Sequence, residues 1–293
     1  MPRSPGDPVI LRVGGLPLHV LREGSGPVCV LSSGLGGCWF DWDPVVPLLT
    51  PRRTVVRFDR PGYGLSAPSD GPPALAAEAD RIGQVLTALG LTGRCTVVGH
   101  SLAAFHVEAF ARLHPRRTDA LVLLDGSVEH RPRPARAPEL RDLAARASAA
   151  ALTAVALPYL LGPAARRAGV RMASVRGRED VPAALVRRCY RPGRVLRSVL
   201  RENTAYRDTA AELVALRERL PLPGARVTVV AADRRGGAAG AVGAAGPGAA
   251  VRQRELAAVL GGEFRTVGPA GHLLMLDRPG EVAAAILGEP DAG

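Results

Sequence analysis

The stretch Cys95-Thr-Val-Val-Gly-His-Ser-Leu-Ala-Ala104 restricts the fold more than any other part of the chain. A short apolar run ends in a small residue, a spacer, a serine, a second spacer and another small residue, the pattern of a strand driven into a sharp turn and then a helix. Such a turn strains the backbone at the serine. Side chains two positions to either side would collide, so Gly99 and Ala103 must be small. Ser101 then stands exposed as a candidate nucleophile. The N–H of Leu102 opens the following helix with the positive end of its dipole behind it, and supplies half of an oxyanion hole.

The rest of the chain alternates strands and helices around this turn. Residues 9–13 and 16–22 flank Gly14-Gly15 and read as a hairpin. Val28–Ser32, Thr54–Phe58, the run at 95–100, Asp119–Asp125, Ala225–Ala232 and Glu263–Val267 are short apolar runs, as strands covered on both faces must be. Helices are expected over 41–49, 74–90, from the serine turn to about His114, and over 251–260 and 273–287. Short alternating units of this kind predict a mainly parallel sheet with helices on both faces. From 126 to 206 the alternation stops. Two arginine- and proline-rich stretches occur there and the pattern is helical, so 1–125 and 207–293 are expected to form the core and 126–206 a helical insertion over the sheet edge. Residues 236–248, nearly all Gly and Ala, read as a mobile loop.

Net charge is +11, which raises the question of an anionic partner. The cations are all arginine with no lysine, in a chain rich in Ala, Gly and Pro, and no nucleic-acid-binding pattern accompanies them. A nucleic-acid partner is therefore not expected. No apolar run approaches the ~20 residues of a membrane span and the first residues carry no apolar leader core, so a soluble, cytoplasmic protein without a membrane partner is expected. Cys29, Cys38, Cys95 and Cys189 lack paired spacing and read as reduced, buried thiols.

A serine nucleophile requires a base, and the base requires an acid to orient it. Of the six histidines, His272 in Gly268-Pro-Ala-Gly-His-Leu follows the last strand and emerges at the sheet edge where ligands gather. Two aspartates end strands at that edge. Asp233 is preferred as the acid for the chain order Ser, Asp, His, and Asp125 stays as the alternative. The glycine turn Ser33-Gly-Leu-Gly-Gly37 directs a backbone N–H, of Leu35 or of Gly36, into the cleft as the second oxyanion donor. Asp59 is read as a structural residue orienting its own turn.

Taken together, Gly-Leu-Gly-Gly at 34–37, Asp-Arg-Pro-Gly-Tyr-Gly-Leu-Ser at 59–66, Gly-His-Ser-Leu at 99–102 and Gly-His-Leu at 271–273 resemble the α/β-hydrolase superfamily, in its serine, cap-bearing type. The resemblance implies an eight-stranded α/β-hydrolase sheet, a triad of Ser101, His272 and Asp233 (or Asp125), an oxyanion hole at Leu35 and Leu102, and no metal or organic cofactor. It implies hydrolysis of an ester or related acyl bond in a small, uncharged substrate. A carbon–carbon bond hydrolase, a cofactor-free haloperoxidase-like enzyme, an acyltransferase and a non-catalytic receptor are the alternatives on the same scaffold. Ser33 stands where many members have histidine and Ala103 where glycine is usual; neither removes a reacting group. Leu152, Val155, Leu157, Tyr159 and Leu160 are expected to form an apolar wall over the substrate.

Overall fold

The structure is a computed structural model that describes residues 9–129, 131–222, 224–233 and 248–290. Gly14 and Gly15 both have positive φ, 55° and 85°, and close a tight hairpin between β1 (Val9–Val13) and β2 (Leu16–Glu23). Six more strands follow: β3 (Val28–Ser32), β4 (Thr54–Phe58), β5 (Cys95–His100), β6 (Thr118–Leu124), β7 (Arg226–Ala232) and β8 (Glu263–Val267). They form one sheet in the order β1-β2-β4-β3-β5-β6-β7-β8, antiparallel across β1, β2 and β4 and parallel from there on.

Alternate residues of each parallel strand feed two separate cores, which is why these strands are apolar throughout. Val97, Leu121 and Val229 pack with α2 (Leu75–Ala88), α3 (Ala103–Leu113) and α8 (Ala249–Leu260) on one face. Val98, Val122 and Val230 pack on the other face with α1 (Val46–Leu49), α9 (Leu274–Asp277) and α10 (Pro279–Leu287). The helix expected over 273–287 is thus two helices, because Pro279 starts a new one. The helix expected over 41–49 is a 3-10 turn at Trp39–Trp42 followed by the single turn of α1.

Between β6 and β7 the chain forms α4 (Pro138–Ala154), α5 (Leu157–Ala173), α6 (Ala183–Tyr190) and α7 (Gly193–Arg219). The α4 and α5 axes meet at 104°, with Ala156 in the left-handed conformation at the corner. Position 206, where composition places the end of the insertion, lies inside α7. That helix continues to Arg219, and its Ala210 and Leu213 join the core on the α3 side of the sheet. No single helix among the described residues is long and apolar enough to cross a membrane. The Gly/Ala loop expected at 236–248 lies, up to Gly248, outside the described residues, as does His130.

Candidate active site

Ser101 follows β5 with φ of 53°, a left-handed backbone that side-chain-bearing residues adopt only under constraint. Three hydrogen bonds impose it. The Ser101 N–H donates to Leu124 O at 3.1 Å, and its own carbonyl accepts from Ala104 and Ser127, each at 3.0 Å. The crossing of strand and helix here is close enough that a Cβ at Gly99 would lie 2.5 Å from Val107 Cγ2 and 2.6 Å from Ala103 O. Only glycine fits. Ala103, fully buried, carries its methyl into the core, so the second small position tolerates one carbon.

The loop after β8 brings His272 to this serine. The Ser101 hydroxyl donates to His272 Nε2 at 2.9 Å, and His272 Nδ1 donates at 2.6 Å to Asp125 Oδ2. The carboxylate bonded to the imidazole is therefore Asp125, at the end of β6, and the preference for Asp233 is corrected. The reason lies in the strand order. β6 is the immediate neighbour of β5, whereas β7 stands one strand, about 5 Å, further away. Asp125 also has a left-handed backbone, φ 40°, that turns its side chain off the strand, and its N–H is fixed to Val230 O at 2.7 Å. Asp233 instead extends the pairing of β7 with β8: its N–H donates to Val267 O, its carbonyl accepts from Ala270, and its Cβ lies against Gly268. Burial pushes the Asp125 carboxyl up, but the hydrogen bond and charge of His272 with the Ala232 N–H outweigh it, and the net direction is down. The group is a carboxylate, so Nδ1 carries the proton and Nε2 is free to accept.

His100, beside the serine in sequence, has a separate task. Its Nε2–H donates to the His272 carbonyl at 2.8 Å, which fixes the loop that carries the imidazole. Burial, reinforced by the nearby His272, pushes it down to about 3, so it stays neutral.

The glycine turn after β3 is held from behind by Arg60. Nη1 of this guanidinium donates to Ser33 O, and Nη2 donates to Gly34 O at 3.0 Å. In a trans peptide the N–H points opposite to the C=O, so anchoring Gly34 O on Arg60 turns the Leu35 N–H away from the arginine. Gly34 lies against the serine, since a Cβ there would be 2.8 Å from Ser101 Cβ. Among the described residues, neither the Leu35 nor the Leu102 N–H donates to a backbone carbonyl. Arg60 is in turn bound by Glu202 of α7, at 2.9 Å from Nε and 2.8 Å from Nη2, and Tyr63 donates to the same carboxylate at 2.9 Å. Burial works against both charges. Their mutual attraction prevails, raising Arg60 and lowering Glu202, and the pair is ionic.

A cavity of about 450 Å³ opens above Ser101 and His272 beneath the inserted helices. Leu157, Pro158, Leu161 and Val170 line it from α5, and Leu196 and Val199 from α7. Of the apolar wall expected from sequence, Leu157 faces the cavity, Leu152 does not line it, and Val155, Tyr159 and Leu160 are exposed. Arg166 also reaches the wall, bound to Asp41 and, at 2.9 Å, to Glu179. Asp59 holds its own turn: it accepts from the N–H groups of Trp39 and Leu65 and pairs with His19 Nδ1 at 2.9 Å. The four cysteines are buried and free.

Arg60 and His100 stand within the motifs at 59–66 and 99–102, but nothing in those patterns marks their tasks, and Glu202 lies in no motif. Arg60 is one residue of a turn, and its partner lies 142 positions away.

A family model described as "Alpha/beta hydrolase family" matches residues 29–285. Over 98 residues the chain is 41% identical to "Putative carbamate hydrolase RutD" of Caulobacter sp. (strain K31); this spans 33% of the chain and 36% of that protein, about a third of the relative's length. Among solved structures it resembles Cfl2 from Burkholderia cenocepacia, with a TM-score of 0.75 at 21% identity over 98% of this chain and 97% of that one. It also resembles a thermophilic esterase from Thermogutta terrifontis, with a TM-score of 0.66 at 21% identity over 96% and 97%.

Proposed function

The chain belongs to the alpha/beta hydrolase family, and from that premise we propose that it is a serine hydrolase cleaving an ester or related acyl bond of a small, apolar substrate. The observation that carries this reading is the continuous chain of hydrogen bonds from Ser101 through His272 to Asp125. Such a chain raises the nucleophilicity of a hydroxyl that is otherwise protonated at neutral pH.

His272 Nε2 takes the hydroxyl proton as Ser101 Oγ attacks the substrate carbonyl, and Asp125 stabilises the imidazolium that results. The N–H groups of Leu35 and Leu102 receive the oxyanion, each worth about 3 kcal/mol to the transition state. His272 then gives its proton to the leaving group, which departs and leaves an acyl-serine. Water, deprotonated by the same imidazole, attacks the acyl carbon and releases the acid. The apolar walls of the cavity suit an uncharged acyl group.

A fluorophosphonate probe should label the wild type and leave Ser101→Ala unlabelled; equal labelling of both would remove Ser101 from its role. A p-nitrophenyl ester series of increasing chain length then measures the acyl pocket. The likeness to RutD favours a second reading in which the acyl bond is a carbamate, which a carbamate substrate added to the same series separates from an ester.

A further inference from the structure

The corner between α4 and α5 exposes apolar side chains that the fold leaves uncovered. Val155 is 68% exposed, Tyr159 55%, Leu160 66% and Leu161 54%. They stand on a convex bend, and the same turn of α5 supplies Leu157, Pro158 and Leu161 to the cavity above Ser101. Beside them ends α6, packed so closely that a Cβ at Gly162 would lie 2.0 Å from Tyr190 O. That end carries Arg187, Arg188 and Arg191, which with Tyr159 line a second, shallow cavity of about 450 Å³ on the outer surface. Arg191 lies over the Tyr159 ring at 4.3 Å and donates to its hydroxyl at 3.3 Å. Among the described residues none of these three arginines forms an ion pair, and no carboxylate lines this cavity.

From this juxtaposition we propose that the α4–α5 corner docks on an anionic phospholipid surface, its apolar residues entering the interface while the three arginines take lipid phosphates. Exposed branched aliphatic side chains, an amphipathic tyrosine and unpaired arginines at the adjoining end of α6 are the residue types that a membrane interface holds. Charge selects this occupant over a second copy of the chain. In a symmetric dimer through the corner each arginine cluster would face its own image, in a protein whose net charge is already +11. The absence of a membrane partner expected from hydropathy does not bear on this surface, because hydropathy detects spans and not peripheral docking. Docking stands independently of the catalytic reading. Its consequence, that an apolar substrate passes from the lipid into the cavity beside Leu157 and Leu161, rests on the proposed serine hydrolase.

Sedimentation with vesicles tests the proposal, using phosphatidylcholine alone and an equimolar mixture with phosphatidylglycerol. Wild type should bind the mixed vesicles at least roughly tenfold more tightly than the neutral ones, and less as salt is raised. Arg187→Gln/Arg188→Gln should weaken binding by about 25-fold, near fivefold per arginine. Val155→Ser/Leu160→Ser should weaken it roughly tenfold or more at unchanged charge. Circular dichroism melts serve to check that both variants are folded, and hydrolysis of a soluble short-chain ester to check that the catalytic centre is intact. No preference for the anionic vesicles, binding that survives Val155→Ser/Leu160→Ser, or a solution dimer dissolved by that variant would each overturn the docking surface. Loss of ester hydrolysis in wild type would overturn the catalytic reading alone, since the vesicle measurement is read without turnover.

Discussion

Glu202 grips Arg60 through two parallel hydrogen bonds, 2.9 Å and 2.8 Å, and the Nη2 that one of them uses also holds the Gly34 carbonyl. A helix of the insertion thereby sets the orientation of the peptide whose N–H is proposed to meet the oxyanion.

Replacing Glu202 by Gln leaves the Arg60 charge buried and unpaired, for which the expected loss of stability is about 3 kcal/mol. The Gly34–Leu35 peptide loses its fixed direction at the same time. With a soluble ester, kcat is expected to fall tenfold or more while KM stays near its wild-type value, because the donor acts on the transition state and not on the bound substrate. Urea titration and steady-state kinetics on the same preparation check both. A proportionate rise in KM would mean that the pair shapes the cavity instead.

Exchanging Asp125 for Asn keeps the size of the side chain and removes the charge that orients His272. On the proposed mechanism, and by comparison with Ser-His-Asp enzymes, kcat should drop by about 10⁴. Asp233→Asn, one strand further out, should cost less than about tenfold. The two single variants, measured under saturating ester, decide between the carboxylates. The larger loss falling on Asp233 would refute the geometry.

That choice shows where sequence reading ends. The preference for Asp233 rested on the order Ser, Asp, His, yet both aspartates lie between 101 and 272, so order alone does not separate them. What separates them is lateral position in the sheet and the left-handed turn at Asp125. Neither is encoded in a local pattern. Ser101 and Gly99, in contrast, were legible because steric exclusion at a strand-to-helix turn acts within a few residues. The alternation of strands was legible for the same local reason. Glu202 and Arg60 were not, since a buried ion pair across 142 positions leaves no periodicity behind.

His100 and His106 supply a pH dependence of stability. Burial pushes each of them down to about 3. In the unfolded chain they titrate near ~6.5. Below that value the unfolded state takes up protons that the folded state refuses, so stability falls as pH falls, by up to about 1.4 kcal/mol per pH unit for each histidine. The loss begins near pH ~6.5 and continues towards 3; at lower pH the depressed carboxylates of Asp125 and Glu202 add their own loss. Denaturant titrations between pH ~5 and ~7 measure the slope, and His106→Leu should cut it by about half.

Gly169 lies within α5 on the cavity wall, and a Cβ there meets nothing within 4 Å. Gly169→Leu should fill that space and shift the preference of the enzyme towards shorter acyl chains, with little change for the shortest ester. Gly169→Ala should raise stability by about 1 kcal/mol, the usual gain for replacing glycine inside a helix. Chain-length profiles for the first and thermal melts for the second test these outcomes separately.

The α7 helix is a structural member common to both halves of the molecule: Val195 and Val199 border the cavity, Glu202 braces the glycine turn, and Leu213 is embedded beside the sheet. At about 40 Å it behaves as a stiff strut. A lid transplanted from a homologue by cutting at the ends of β6 and β7 would pull that strut out of the foundation. Chimeras that keep α7 and exchange only α4 to α6 should respect the mechanical layout, since the inserted helices are welded to the sheet on the α7 side.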